Sequence, residues 1–202
     1  WLARCLRDSK LLEKSRDAYW FDECLDRVLG LHERQVKQTI REKGTLSGKY
    51  ADEEIYFETD PEDLYTPYRV LVQIFKQFSP QQTGTFLDLG SGLGRVGLVA
   101  GVLLPKLNFL GYEIVSERTN AGAQAAKEMG LKRIAFYNRD VSRYGLPPAD
   151  CYFLFNPFHL STLQHVTRQL RKLATSKSFL VITPTIGLPW SHLNRAPWLK
   201  KT

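Results

Sequence analysis

Residues 86–97 read Phe-Leu-Asp-Leu-Gly-Ser-Gly-Leu-Gly-Arg-Val-Gly, an apolar run that leads through Asp88 into a loop with three glycines. Glycine permits φ > 0 and lets the backbone approach a ligand closely. A helix that begins directly after such a loop points its free N–H groups and its positive dipole end at a bound ligand. The segment therefore predicts a strand, a ligand-binding loop and a helix, in that order.

This loop matches the requirements of two ligand classes. Residues 92–97 fit the pattern G-x-G-x-x-G of dinucleotide sites, and Glu113 follows about 20 residues later, where such sites place a ribose-binding acid. However, Gly90 and the carboxylate of Asp88 precede the pattern. A carboxylate beside the loop repels a pyrophosphate and favours a ligand with a positive amino group, such as S-adenosylmethionine.

Three further short apolar segments are interpreted as strands, and they cover residues 108–114, 134–137 and 151–155. The first of them ends at Glu113, whose carboxylate can accept hydrogen bonds from both ribose hydroxyls. The second is followed by Asp140, an acceptor for an adenine amino group, and by Val141, an apolar cover for the ring. Ligands of open α/β sheets bind beyond the carboxyl ends of the strands, so these residues are expected at one site.

The order of these motifs resembles that of class I S-adenosylmethionine-dependent methyltransferases over residues 60–186. The matching strings are Asp-Leu-Gly-Ser-Gly-x-Gly-Arg, Gly-Tyr-Glu, Asp-Val and Phe-Leu-Phe-Asn-Pro-Phe. They are similar to small bacterial methyltransferases of unassigned substrate and to seven-strand protein-lysine methyltransferases. The resemblance implies a Rossmann-like α/β fold with a doubly wound, mostly parallel sheet, and S-adenosyl-L-methionine as cofactor. The predicted cofactor contacts are Tyr65, Thr66, Asp88, Gly90, Ser91, Gly92, Gly94, Arg95, Glu113, Asp140 and Val141.

The block Asn156-Pro157-Phe158 follows the fourth strand and is predicted to be catalytic. Amino-methylating enzymes of the resembling group often carry Asn/Asp-Pro-Pro-aromatic there, where the amide oxygen binds the target amine and the ring packs on the substrate. This chain lacks the second proline, which makes adenine in DNA a less favoured acceptor. Alternatively, Asn-Pro only separates strand from helix. For a lysine acceptor, Tyr65, Tyr68 and Phe158 are candidates for an apolar slot that lowers the pKa of its amine.

Two positions beside the loop leave alternatives open. Thr66 is a favourable N-cap and Pro67 a favourable first helical residue. Tyr65 and Thr66 therefore either contact the methionine end of the cofactor, as the resemblance implies, or serve only to start the helix. Arg95 either bonds the cofactor carboxylate or pairs with a neighbouring acid, because a cation is unfavourable at a helix N-terminus without an anion near it.

Charge is unevenly distributed along the chain. Residues 1–60 contain 11 Lys or Arg and 13 Asp or Glu, whereas residues 61–202 contain 17 and 8. The basic part favours an acidic partner, either a protein or another acidic macromolecule that carries the methyl acceptor. Nucleic acid is less favoured, because no basic stripe interleaved with aromatic residues is present. An ordinary solvated surface would explain the same charges.

The organisation predicted along the chain has three parts. Residues 1–43 form a helical N-terminal extension, residues 44–64 a connector or lid, and residues 65–202 the S-adenosylmethionine-binding domain. A further helix is expected over 116–129. Residues 187–202 are too short for the helix and antiparallel hairpin that usually end the resembling fold, so we expect this hairpin to be absent or truncated.

The remaining composition is typical of a cytoplasmic protein with one core. The chain has 202 residues, 43% of them apolar, and no apolar run long enough to cross a bilayer. Its three cysteines are too few and too scattered for a disulfide framework or a zinc site, so no metal is predicted. The first residue is Trp1, which suggests a fragment.

The sequence thus favours a methyltransferase that acts on nitrogen, with a protein lysine as the favoured acceptor. Two alternatives stay open. One is an interaction protein of the same fold without activity. The other is a nicotinamide-dependent oxidoreductase, which the G-x-G-x-x-G pattern permits.

Overall fold

The structure is a computed structural model that describes residue 6 and residues 18–43, 65–155, 157–185 and 187–200. Within these ranges three helices precede the first strand, and helices then separate the strands as predicted, except that β4 follows β3 without a helix between them. The helices are α1 (Ala18–Val28), α2 (Glu33–Lys43), α3 (Tyr68–Phe75), α4 (Arg95–Leu103), α5 (Ser116–Glu128), α6 (Leu160–Leu173) and α7 (Gly187–Leu193). The strands are β1 (Thr85–Leu89), β2 (Asn108–Glu113), β3 (Ile134–Asn138), β4 (Cys151–Phe153) and β5 (Leu180–Ile182).

The five strands form one sheet in the order β3-β2-β1-β4-β5, and every neighbouring pair is parallel. The chain therefore winds outward in both directions from β1, which confirms the predicted doubly wound sheet. The order reverses between β1 and β4, and ligands of such sheets bind in the crevice at the carboxyl ends of these strands. The glycine loop leaves β1 at this point.

Alternating side chains of the strands build two apolar layers, one on each face of the sheet. The first layer contains four phenylalanine rings from neighbouring strands, and Phe86 stacks on Phe109 with 5.7 Å between the ring centres. Helices α1, α3, α4 and α5 contribute residues to this layer. The second layer contains Leu87 and Tyr152 from the sheet and Leu163 from α6. Asp88 belongs to the same sheet face as Phe86.

The ring of Phe136 fills a space in the first layer that is walled by glycines. A Cβ atom built on Gly94 would lie 2.6 Å from this ring, and one on Gly97 would lie 2.8 Å from it. Cβ atoms on Gly111 and Gly122 would also press on the ring. Because side chains cannot approach closer than about 3 Å, Gly94, Gly97 and Gly111 are required to admit the ring, whereas the contact at Gly122, at 3.3 Å, is only tight.

The N-terminal helices pack into the first layer. Leu25 and Leu29 are buried there together with Phe75 of α3 and Phe86 of β1. Gly30, with φ 75°, makes the turn that separates α1 from α2. The predicted connector over 44–64 lies outside the described residues.

The predicted start of the helix after residue 65 was wrong. The third helix begins at Tyr68 with Pro67 as its N-cap residue, and Thr66 makes no capping bond. Instead, the Tyr68 N–H donates to Asp22 of α1 over 3.2 Å. Leu160 has 47% of its surface exposed, because it stands at the first position of α6. Val28, at the end of α1, is also exposed.

Candidate functional site

The loop between β1 and α4 has the backbone that its glycines predict. Gly90, Gly92 and Gly94 have φ of 85°, 53° and 90°, a region that other residues seldom adopt. The N–H groups of Gly90 and Ser91 donate to the carbonyl of Tyr112 over 2.8 and 2.9 Å. These two bonds fix the loop to β2.

Asp88 is a buried acid below this loop. Only 2% of its surface is exposed, and its Oδ2 has no hydrogen-bond partner among the described residues. The hydroxyl of Ser91 is also buried and has no hydrogen-bond partner among the described residues. Burial raises the pKa of Asp88 well above its ordinary value, and the negative charge of Glu113 raises it further. A buried carboxylate without a donor is costly, so the site has an acceptor ready for a ligand donor, above all a positive one.

Glu113 lies at the end of β2 and is 5% exposed. Its Oε2 accepts the N–H of Gly92 over 2.9 Å, and its Oε1 accepts the N–H of Val115 over 2.9 Å. Nη1 of Arg118 also lies 4.0 Å from Oε1. A carboxylate has about four acceptor positions, so Glu113 keeps capacity for a further donor. This capacity fits the pair of ribose hydroxyls that the sequence assigned to Glu113.

The turn after β3 holds Asp140 and Val141. Asp140 accepts hydrogen bonds from the backbone N–H and hydroxyl of Ser142, and its Oδ2 lies 3.0 Å from Nε of Arg143. Val141 is buried against the second layer. Asp140 is thus occupied by its own turn, and its contact with an adenine stays a prediction.

Arg95 is held by acids of the N-terminal helix, so the structure favours the second of its two predicted roles. The side chain is buried, and its Nε and Nη2 donate to the carboxylate of Asp26, the former over 3.0 Å. Its Nη1 lies 3.4 Å from Oδ2 of Asp22 and 3.3 Å from the carbonyl of Thr66. The guanidinium also lies over two tyrosine rings, and these contacts together commit it to the protein.

Those rings belong to Tyr65 and Tyr68, at 4.9 and 4.6 Å from the guanidinium carbon. Tyr65 also reaches the loop, since a Cβ atom on Gly92 would lie 3.5 Å from its ring. Tyr68 is fully buried and its hydroxyl donates to Asp26 over 2.6 Å. The prediction that Tyr68 lines an acceptor slot is therefore wrong, whereas Tyr65 lies beside the loop as predicted.

The predicted catalytic block follows β4. Asn156 lies outside the described residues. Pro157 lies against Gly90 so closely that a Cβ atom there would collide with the proline ring. Phe158 packs on the second apolar layer. The structure thus brings Pro157 and the glycine loop together at the point where the strand order reverses.

Sequence reasoning missed Asp22 and Asp26 as partners of Arg95. Their spacing of four residues places two like charges on one helix face, which is unfavourable in isolation. Such a pair beside the apolar Leu25 and Leu29 is a signal that a buried cation lies opposite. Asn138 was also missed, and its amide donates to the carbonyls of Glu113 and Ile114 over 3.1 and 2.6 Å.

No helix in the described ranges combines the length and the apolar character that crossing a bilayer requires. The same part of the chain contains no group of three or more His, Cys, Asp or Glu side chains that would hold a metal ion.

Comparison with known proteins gives likeness at the level of structure. No family model matches the sequence, and no curated protein matches it. The chain is similar to precorrin-6y C5,15-methyltransferase from Geobacter metallireducens GS-15, with a TM-score of 0.51 and 17% identity over 68% of this chain and 72% of that one. It is also similar to coclaurine N-methyltransferase bound to N-methylheliamine and SAH, with a TM-score of 0.51 and 13% identity over 90% of this chain and 57% of that one.

A third similar structure is a segment named StiE O-MT, with a TM-score of 0.45 and 20% identity over 58% of this chain. The chain spans 41% of the length of that segment. The two structures with a TM-score of 0.51 confirm the fold predicted from the motifs: the chain has a Rossmann-like α/β fold of the kind that these two methyltransferases share.

Proposed function

We propose that the protein is an S-adenosylmethionine-dependent methyltransferase. The observation that carries the proposal is the pair of buried acids at the glycine loop, Asp88 with an unpartnered oxygen and Glu113 with spare acceptor capacity. This pair suits a ligand with an ammonium group and a ribose diol. Asp88 disfavours the pyrophosphate of a nicotinamide dinucleotide, because its carboxyl group offers an acceptor, negative when ionised, beside the loop that the phosphates would occupy.

When bound, S-adenosylmethionine supplies a methyl group activated by a sulfonium. Asp88 and Ser91 would hold its positive end, and Glu113 its ribose hydroxyls. The backbone of residues 90–94 would admit it closely, since a side chain there would fill the loop. The protein's own contribution is orientation, and alignment of reacting groups is worth on the order of 7–11 kcal/mol.

Calorimetry tests this proposal. We expect saturable binding of S-adenosylmethionine and S-adenosylhomocysteine, and none of NAD or NADH. Glu113→Gln should weaken binding about tenfold or more, whereas Glu128→Gln, an exposed change at the end of α5, should leave it unchanged. Saturable NAD binding without S-adenosylmethionine binding would favour the oxidoreductase instead.

We further propose nitrogen as the acceptor atom and a protein lysine as the favoured acceptor. The support is the Asn-Pro-Phe block, whose Pro157 lies against Gly90 of the loop. Asn156 would accept a hydrogen bond from the amine, and Phe158 would pack on the lysine stem. The basic character of residues 61–202 supports an acidic macromolecule as the carrier of that lysine. A cytoplasmic location remains a prediction from cysteine content.

Labelled S-adenosylmethionine and a cell lysate test the acceptor. We expect label in methylated lysine of the protein fraction, and its loss in Asn156→Ala with cofactor affinity retained. Label confined to nucleic acid or small molecules would exclude the lysine proposal. Tight cofactor binding with no labelled product in any fraction would favour the interaction protein.

A further inference from the structure

The two N-terminal helices reach both halves of the candidate cofactor site. We propose that α1 and α2 act as a brace that positions the site: α1 holds the glycine loop through Arg95, and α2 holds the acidic turn, residues 113–117. Asp22, Asp26 and Ile40 are the positioning residues. The inference rests on the proposed cofactor, and it assigns a role to a segment that the sequence marks only as an extension.

The contact with α1 is electrostatic and buried. Arg95 stands at the first position of α4, where the helix dipole is unfavourable for a cation. Asp26 binds two of its nitrogens and Asp22 a third. Removing either acid leaves a buried guanidinium short of negative charge, which a protein relieves by moving the side chain toward water. Since Arg95 directly follows Gly94, such a movement would displace the loop.

A second contact carries the same coupling through an aromatic ring. Tyr65 packs on the guanidinium of Arg95 on one side and against Gly92 on the other. The N–H of Gly92 in turn donates to Glu113. The brace thus connects α1 to both predicted ligand-binding elements by direct contacts.

The contact with α2 is apolar. Ile40 is 1% exposed and forms a small buried cluster with Val115. The N–H of Val115 donates to Oε1 of Glu113, so packing at Val115 fixes the donor that orients this carboxylate. Nζ of Lys43 lies 3.7 Å from Oε1 of Glu117, which adds a charged contact at the end of the same turn.

A role in folding stability alone would lower stability without changing the site. We therefore compare Asp26→Asn and Ile40→Val with two matched controls on the outer sides of the same helices. Glu23→Gln removes an exposed ion pair with Arg27 in α1, and Gln38→Ala removes an exposed bond to Glu42 in α2. All proteins are measured at a temperature at which circular dichroism shows them fully folded.

The first readout is amide hydrogen exchange without cofactor. Asp26→Asn should accelerate exchange at residues 90–94, and Ile40→Val at residues 113–117, with the rest of the sheet unchanged. The second readout is calorimetric affinity for S-adenosylmethionine, which should fall about tenfold for Asp26→Asn and less for Ile40→Val, while both controls stay within about twofold. If Asp26→Asn does not fold, Asp22→Asn takes its place in the experiment, because it removes only the longer of the two ion pairs of Arg95.

Unchanged affinity and unchanged local exchange in folded variants would overturn the brace. Uniformly faster exchange over the whole sheet would overturn it as well, because that result indicates a stability effect only. A wild-type protein that does not bind S-adenosylmethionine would overturn the proposed function instead, and the exchange measurement would still decide the brace.

Discussion

The two ends of the sheet treat the same kind of residue in opposite ways. Asp150 precedes β4 at the amino end, is exposed, and binds Nζ of Lys177 over 2.7 Å and the Thr85 N–H over 2.8 Å. These two bonds lower its pKa. Asp88 lies near the carboxyl end of β1, is buried, and has one oxygen without a partner among the described residues. Its pKa is raised.

The comparison separates a structural acid from a functional one. A carboxylate that serves only the fold sits in water or beside a cation, because an unpaired buried charge is costly. Asp88 carries this cost near the carboxyl end of β1, which is the edge of the sheet where ligands bind in this topology. Three residues earlier, at the start of the same strand, the N–H of Thr85 is paired with Asp150. The difference between the two ends therefore indicates that folding stability is lost at Asp88 so that this side chain can bind a ligand. Four predictions test it.

The largest effect is expected for a glycine substitution at each end. Gly94→Ala forces a side chain into φ 90° and against Phe136, and should lower the free energy of unfolding by about 2–4 kcal/mol. Gly130→Ala also has φ > 0 but meets nothing within 4 Å, and should cost about 1 kcal/mol. Urea unfolding measures both. Equal losses for the two variants would show that the backbone at the glycine loop is no more constrained than the backbone at Gly130.

The second prediction concerns Asp88→Asn, which removes the charge and keeps the shape. Because burial raises the folded-state pKa of Asp88, ionisation of this carboxyl costs folding stability, and the cost grows as pH rises above its ordinary pKa. The variant, which cannot ionise, should have a higher free energy of unfolding at high pH and a lower affinity for S-adenosylmethionine. Asp150→Asn, the matched change at the other end, should lose stability and keep affinity. A destabilised Asp88→Asn would contradict the functional assignment.

The third prediction uses pH. Burial raises the pKa of Asp22 to about 6 from 3.8, against the opposing charge of Arg95. The folded state thus binds the proton more tightly, so this group's contribution to stability is full below pH 3.8 and is lost as pH rises through 6. Between about pH 5 and pH 7 the contribution of Asp22 to the free energy of unfolding should fall by about 1 kcal/mol. Asp22→Asn should remove this part of the pH dependence, which thermal unfolding at several pH values measures.

The smallest effect belongs to the exposed pair at the amino end. Lys177→Gln should cost within about 1 kcal/mol, because water screens the pair. Because the pKa of Asp150 is lowered in the folded state, this group contributes to folding stability at pH values above the ordinary pKa of aspartate. The contribution is lost as pH falls through the folded-state pKa. The loss of stability caused by Lys177→Gln should be smaller at high salt, because salt screens the ion pair of the unchanged protein. An effect as large as that of Gly94→Ala would contradict the comparison.

Much of the fold could be predicted because the local signals agree. The segment 86–89, the glycines after it and the helix from Arg95 specify one strand-loop-helix unit, and the next two strands end at the polar residues Glu113 and Asn138. Parallel pairing follows from the alternation of strands and helices. Glu113 could be placed beside the loop for the same reason.

The contacts of Arg95 could not be predicted in this way. Its partners lie 69 and 73 residues away in the chain, and no local pattern specifies which distant acid a cation meets. The same limit explains Thr66, whose expected cap is replaced by the long-range bond from Tyr68 to Asp22. Contacts between elements override local preferences when they bury a charge.

The space that holds Phe136 has a consequence for how the sequence can change. Four glycines from the loop, α4, β2 and α5 accept one ring from β3, so none of these five positions can vary independently. A side chain at any of the four would meet the ring, so its effect on stability should be non-additive with that of a smaller residue at 136. A smaller residue at 136 would not be enough at Gly97, where a Cβ atom would also lie 2.5 Å from Phe109, so related chains that keep both rings should keep this glycine.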